Sequence, residues 1–216
     1  MLQIPIPSGY KPSDKDEEEL INLINAPITG FELARDKEGI KVYKKSDENC
    51  KALLLKTFGT IPYNLNQIKN ILFKTNEMDN WDKTFSKHIS ISSSEEGKVK
   101  KETLYLLIPF PWPMSDRDLV QAKKTWENYL GNDKYLLCHM KSTEDPKYPP
   151  KEKPVRAEMV IGGYFLEEKS PTETQIVMIN SMDLKVSTGA SIVNSKAPDS
   201  PLNFVRNLIK YLKDHH

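Results

Sequence analysis

The 216-residue chain has little cysteine, almost no net charge and no long apolar run. Cys50 and Cys138 lie far apart without a Cys-x-x-Cys motif, which favours reduced thiols over a disulfide framework. A formal net charge of +1, with basic and acidic residues intermixed, argues against a nucleic-acid partner. No stretch is apolar enough to span a bilayer, and residues 1–7 do not resemble a secretory signal. We therefore predict a cytoplasmic protein with at most peripheral, transient membrane contact.

Recognisable catalytic and cofactor motifs are also missing. The sequence has no Gly-x-Ser-x-Gly or phosphate-loop pattern, and His88 and His139 have no cysteine or carboxylate at a recognised motif spacing. His215 and His216 at the end resemble the remnant of an expression tag. These absences predict a protein that is not an enzyme and that binds neither a metal nor a cofactor.

Secondary-structure signals predict an irregular leader over residues 1–12 and a single domain over residues 13–216. Ser13 is the expected N-cap of a first helix, because acidic residues fill the following turn. Short β-rich pieces at 41–44 and 53–60 predict a hairpin. Helical spacing of apolar residues over 64–74 predicts a second, short helix.

The second half of the chain is predicted to be mostly strand until its last helix. Strand-like runs between residues 85 and 182 are separated by short turns, so neighbours should pair antiparallel. Gly162 and Gly163 interrupt one run and predict a bulge or bend. The final segment has an apolar helical face, formed by Leu202, Val205, Leu208, Ile209 and Leu212. These helices and antiparallel strands predict an α+β fold. A long helix lying across a curved sheet would leave an apolar hollow between them.

A rigid aromatic loop precedes one of these strands. Residues 109–118 read Pro-Phe-Pro-Trp-Pro-Met-Ser-Asp-Arg-Asp, and three prolines in five positions restrict the backbone that carries Phe110 and Trp112. Such an aromatic pair either packs on a neighbouring element or meets an apolar surface outside the protein. We predict that Phe110, Trp112 and Met114 contact a membrane, and packing of Trp112 under the final helix is the alternative.

The amino-acid sequence of this loop resembles the signature of START domains, a family of lipid-transfer proteins. Three further segments resemble family landmarks in the same order, namely Gly39–Tyr43, Trp81–Asp82 and Pro154–Glu158. The resemblance covers roughly residues 30 to 213. It implies a helix-grip fold, in which a curved antiparallel sheet and a long C-terminal helix enclose one lipid. It also implies that the protein binds a lipid and transfers it between membranes, acting as a monomer.

The resemblance suggests several lipid-contacting residues. A basic residue six positions after the signature arginine points into the cavity of several family members, and here that residue is Lys123. Strand alternation puts Gln121 on the same face as Lys123, and Glu102 and Glu158 are the candidate acidic partners. A solvated lysine at a strand end is the alternative for Lys123.

Four further residues complete the predicted lipid-binding set. They are Tyr105, Arg156, Val205 and Ile209. For Arg156, as for Arg117, a structural clamp is the favoured reading, and a polar contact inside the cavity is the alternative. The predicted set therefore mixes head-group contacts with apolar ones.

The identity of the cargo and the class of function stay open at this point. The loop wording is closest to that of phosphatidylcholine-transferring family members, so phospholipid is favoured over sterol or ceramide. The segment 183–191 differs from the family's sequence pattern, because it lacks a glycine pair, a proline and a tryptophan, although Asn194 is retained. The alternatives are a helix-grip enzyme of the polyketide-cyclase type and a protein-interaction module that carries no lipid.

Overall fold

The structure is a computed structural model that describes residues 1–47, 50–186 and 190–215. Its helices lie near the two ends of the chain and in one segment between the third and fourth strands. They are α1 (Lys15–Asn25), α2 (Leu65–Leu72), α3 (Met78–Trp81), α4 (Ala190–Lys196) and α5 (Asp199–His215). Within these described residues no helix is long and apolar enough to cross a membrane.

The strands form one ten-stranded sheet. The strands are β1 (Glu32–Lys37), β2 (Ile40–Asp47), β3 (Cys50–Ile61), β4 (Lys87–Glu96), β5 (Val99–Ile108), β6 (Arg117–Glu127), β7 (Tyr135–Ser142), β8 (Val155–Arg156), β9 (Glu158–Ser170) and β10 (Glu173–Asp183). Their order across the sheet is β1-β2-β3-β10-β9-β7-β6-β5-β4, with β8 beside β6. Neighbours pair antiparallel as predicted, except that the two residues of β8 run parallel to β6. The sheet is curved and does not close.

Strand alternation divides the core between the two faces of the sheet. On the concave face, Leu136, Cys138 and Tyr164 pack in one cluster with Val205 and Leu208 of α5. On the convex face, side chains of the alternate positions pack against α1. That second cluster includes Leu20, Ile21, Ile24, Leu137, Phe165 and Val177. The helix-grip arrangement of one long helix on the concave face is therefore confirmed.

Helix α1 is held on the convex face by buried polar contacts. The carboxylate of Glu17 accepts hydrogen bonds from the hydroxyls of Tyr10, Ser13 and Tyr129. Lys56 is 2% exposed, and its Nζ donates to three backbone carbonyls at the C-terminal end of α1 at 2.6–2.9 Å. Burial lowers the pKa of Lys56 to about 8, because removal from water disfavours its charged form.

Several local predictions need correction. The N-cap of α1 is Asp14 rather than Ser13, because the Asp14 carboxylate accepts the backbone N–H of Glu17. The predicted hairpin is a three-stranded meander, since β1 precedes it. That strand escaped detection because its side chains are mostly exposed and carry no alternation.

The glycine pair sits in β9 as predicted, but the bend precedes it. Pairing between β9 and β10 shifts where Ser181 opposes Ile161 and Met182 opposes Met159. Gly163 itself allows Leu20 of α1 to lie directly on the sheet, because an added Cβ would overlap the Leu20 side chain. The glycine therefore serves close packing between helix and sheet.

Candidate ligand-binding cavity

A cavity of about 80 Å³ lies between the concave face and the first turns of α5. Pro201 and Phe204 of α5 cover it, and Phe85 lies on the loop that leads into β4. From the sheet it is lined by His88, Leu104, Leu106, Gln121, Lys123, Met140, Met159, Tyr164, Met178, Asn180 and Met182. The cavity thus forms where α5 stands off the curved sheet.

The cavity continues into a wider hollow of about 690 Å³. Thr84, Asn180, Met182 and Ser200 line both spaces, so the two adjoin. The outer hollow is lined by apolar groups of β3, of α4 and of the segment after β10, among them Leu53, Leu55, Leu184, Val186 and Val193. We call this outer hollow the mouth of the cavity. Residues 187–189, within the segment that departs from the family wording, lie outside the described residues.

Methionine dominates the apolar lining of the inner cavity. Five of the seven methionines line it, namely Met78, Met140, Met159, Met178 and Met182. Methionine side chains have three rotatable bonds and fill irregular space, so they can change rotamer when the contents of a cavity change. The small inner cavity is therefore bounded by side chains that can move.

A charged cluster lies at one side of this apolar wall. Lys123 and Glu102 face each other across β6 and β5, with Lys123 Nζ 3.3 Å from Glu102 Oε2. Both side chains are nearly inaccessible, at 5% and 3% exposure. Lys100 Nζ lies 3.1 Å from Glu102 Oε1, and the Thr75 hydroxyl donates to the same oxygen at 2.9 Å. Lys123 thus lies in the cavity lining and is paired with a carboxylate.

The electrostatics of this cluster leave an excess of positive charge. Burial raises the pKa of Glu102, but the charges of Lys123 and Lys100 and the Thr75 hydrogen bond outweigh it and hold that pKa below its usual value. Glu102 is therefore ionised at neutral pH. Two lysines share one carboxylate, so the cluster can accept one further negative charge.

A second polar group lies elsewhere in the cavity lining. His88 of β4 places Nδ1 2.6 Å from Asp79 Oδ1, and its Nε2 lies 3.8 Å from Asp82 Oδ2. Burial lowers the pKa of His88, whereas Asp82 and Asp79 raise it, and the net direction is upward. His88 Nε2 is buried and has no hydrogen-bond partner among the residues that the structure describes.

The family model of the START domain matches residues 18–216. The chain belongs to the START-domain family. Human StAR-related lipid transfer protein 6 is 22% identical to this START domain, over 88% of this chain and 86% of that protein. Bovine phosphatidylcholine transfer protein is 20% identical, over 86% of this chain and 85% of its own length. The crystal structure of human STARD10 superposes with a TM-score of 0.76 at 20% identity, covering 96% of this chain and 84% of that one.

Membership places this START domain in a family of lipid-binding and lipid-transfer proteins. At these identities the likeness to STARD10 shows a shared fold. The lipid that is bound depends on the residues that line the cavity of this chain.

Two of the six predicted lipid contacts line the cavity of this START domain, Gln121 and Lys123. The other four lie elsewhere. Tyr105 is on the opposite face of β5 from Leu104 and stacks on Tyr148, with ring centroids 4.4 Å apart. Val205 and Ile209 are further along α5 than the cavity and pack in the concave-face core.

Arg156 is likewise outside the cavity, where it clamps two strands. Its Nε and one terminal nitrogen donate to the two carboxylate oxygens of Asp118 at 2.7 and 3.0 Å, and it also donates to the Tyr148 carbonyl. Arg117 donates to the carbonyls of Leu184 and Ser115. Both arginines therefore have the structural contacts of a clamp. Glu158, the other acidic candidate, pairs with Lys185 at 2.7 Å.

The proline loop lies beside the cavity mouth. Trp112 is 92% exposed, so it does not pack under α5. Phe110 is half-buried, with its ring centroid 4.5 Å from the Arg117 guanidinium carbon, and Met114 is also half-buried. Because Arg117 also binds the carbonyl of Leu184, the loop is joined to a residue that lines the mouth.

Sequence reasoning missed the methionine wall, Phe204 and the polar group around His88. The Trp81–Asp82 landmark was the available signal for that polar group, since Asp82 lines the cavity. The spacing of Asp79, Asp82 and His88 matches no motif. The proximity of His88 to Asp79 depends on how α3 packs near β4, which local sequence does not determine.

Proposed function

We propose that this START domain binds one lipid molecule in the methionine-lined cavity and carries it between membranes through the cytosol. A phospholipid is the favoured cargo. The observation that carries this choice is Lys123, which lines the cavity and shares the single carboxylate of Glu102 with Lys100. A phosphate is the lipid group that such a charge would bind most strongly, because charged hydrogen bonds are short and strong.

Loading requires the inner cavity to enlarge. Its volume of about 80 Å³ is far below that of ordinary ligand pockets, which measure roughly 300–1,000 Å³. The methionine side chains can move aside, and the mouth already adjoins the inner space. Acyl chains entering this space would gain about 0.8 kcal/mol for each buried methylene. We therefore expect a lipid to enter through the mouth between α4 and the sheet.

Membrane contact at the mouth would place the opening against its lipid source. Trp112 is exposed on a proline-stiffened loop that joins the mouth through Arg117 and Leu184. Ile192 of α4, which is 67% exposed, is a second apolar group near the mouth. Aromatic side chains favour the interfacial zone of a bilayer. We propose that the protein docks on a membrane through this loop, transiently and as a monomer.

Native mass spectrometry and vesicle transfer test this function together. The purified protein, exposed to mixed lipid vesicles, should retain a phospholipid mass. It should also move a fluorescent phospholipid between vesicles without any added cofactor. Absence of both binding and transfer across a broad lipid panel would overturn the proposal.

A matched pair of variants on α5 links transfer to the cavity. Ser200→Trp places a bulky ring where the inner cavity meets the mouth, whereas Lys210→Trp places it on the exposed side of the same helix. We expect Ser200→Trp to abolish exchange and Lys210→Trp to leave it unchanged. Equal activity of the two variants would mean that the lipid does not use this cavity.

A further inference from the structure

The cavity contains a polar gap that no group of the described residues fills. His88 Nε2 and Asp82 Oδ2 both belong to residues that line the cavity, and they lie 3.8 Å apart, too far for a direct hydrogen bond. The side chains of His88 and Asp82 are each 2% exposed. Leaving a buried polar nitrogen without a partner costs free energy, so His88 Nε2 calls for a partner from outside the described chain.

The imidazole is held in place from its other side. Asp79 Oδ1 accepts from the backbone N–H of His88 at 2.9 Å and lies 2.6 Å from Nδ1. Because a carboxylate only accepts hydrogen bonds, Nδ1 carries the proton that points to Asp79. Phe85 packs edge-on against the ring with centroids 5.2 Å apart. The orientation of Nε2 toward the gap is therefore determined by its neighbours.

The chemistry of the gap restricts what can fill it. Asp79 and Asp82 favour the protonated imidazole, in which Nε2 is a donor, while the Asp82 carboxylate is an acceptor. A bridging group must accept from His88 and donate to Asp82. An ester carbonyl cannot donate, and an ammonium cannot accept. An ionised phosphate cannot donate and would be repelled by the carboxylate.

We propose that His88 and Asp82 form a subsite for an alcohol hydroxyl of the bound lipid. An alcohol oxygen accepts from Nε2–H and donates its own proton to Asp82 Oδ2, which satisfies both groups at once. This subsite rests on the proposed lipid-carrying function and adds a head-group preference to it. The hydroxyl belongs either to a phospholipid head group or to a neutral lipid such as a sterol.

Pairs of lipids that differ in hydroxyl content test the subsite on the unmodified protein. The phospholipid pair is phosphatidylglycerol and phosphatidylethanol, which share the charged phosphate and differ in head-group hydroxyls. The neutral pair is cholesterol and 5-cholestene. We expect the hydroxylated member of one pair to bind roughly 10- to 100-fold more tightly, as hydrogen bonds to charged groups allow. The pair that shows the preference identifies the source of the hydroxyl.

Two buried histidines provide a matched comparison. His88→Leu should reduce the preference to about onefold. His139→Leu should preserve it, because His139 Nε2 is also buried without a partner among the described residues but His139 does not line the cavity. Nitrogen-15 shifts of the imidazoles supply a readout that needs no variant. The His88 Nε2 shift should change with the hydroxylated lipid and stay constant with its partner.

The outcomes separate this inference from the function on which it rests. Equal affinity for both members of each pair, with an unchanged His88 shift, would overturn the hydroxyl subsite while lipid binding stands. The same preference in His88→Leu as in the unmodified protein would also overturn it. Failure to bind any of the four lipids would instead contradict the proposed function.

Discussion

Lys123→Met tests the charged cluster most directly. The substitution removes the positive charge that faces the cavity and replaces it with an apolar chain of similar length. If Lys123 binds a lipid phosphate, the lost charged hydrogen bond is worth about 1.5–3 kcal/mol, or roughly a 10- to 100-fold rise in Kd. The loss should be confined to phosphate-bearing lipids, and a fluorescent diacylglycerol should bind as before.

The same variant should change stability much less than the loss of a buried ion-pair partner usually does. Removing one partner typically costs about 3–5 kcal/mol because the remaining charge is left uncompensated. Here Glu102 keeps Lys100 at 3.1 Å and Thr75 at 2.9 Å. We therefore expect a change within about 1 kcal/mol, which corresponds to a Tm shift of about 2–4 °C for a domain of this size.

Titration of the variant provides a further check. Burial raises the pKa of Glu102, while Lys123 is foremost among the groups that lower it. Because the folded-state pKa is below the usual value, ionised Glu102 stabilises the fold above its unfolded pKa and ceases to do so as the pH falls through the folded pKa. Lys123→Met reduces that stabilisation. The difference in unfolding free energy between Lys123→Met and the unmodified protein that is due to Glu102 should therefore narrow below about pH 4.

Lys124→Met is the control for this prediction. Lys124 is the next residue of β6 but faces the convex side, where it pairs with Asp14 and Asp16 at 2.7 and 3.0 Å. Its substitution should leave lipid affinity unchanged, as measured by titration with the fluorescent lipids. Equal affinity losses in the two variants, or no loss in Lys123→Met, would refute the reasoning that Lys123 binds the head group.

Three further substitutions test the mouth and the sheet. Trp112→Ala should slow vesicle transfer severalfold, while the free energy of unfolding changes by less than about 0.5 kcal/mol because the 92% exposed indole has little packing to lose. Transfer kinetics and thermal melting measure the two effects. A large stability loss with normal membrane association would contradict the prediction. Gly163→Ala should cost about 1–3 kcal/mol in denaturant unfolding, because its Cβ would overlap the Cys138 carbonyl and Leu20. Gly162→Ala should cost less, since its Cβ meets chiefly the flexible Met159 side chain, and equal costs would contradict this reasoning.

Elements that depend on local chemistry were predictable from the chain alone. The apolar spacings of α5 and α2 are local signals, and the helices form at Asp199–His215 and Leu65–Leu72. The period of two in β6 also sufficed to put Gln121 and Lys123 on one face. The sequence of the proline loop is sufficient to indicate the family, because its prolines and aromatics form a long and specific pattern.

The site itself was decided by tertiary packing. Alternation identified the face of Lys123 but could not choose between Glu102 and Glu158, because that choice requires the register of β5 on β6. Arg156 and Asp118 are 38 positions apart, and only the parallel pairing of β8 with β6 brings them together. The methionine wall collects side chains from α3, β7, β9 and β10 for the same reason. Local sequence determines which face a side chain takes, whereas pairing between distant segments determines what it meets there.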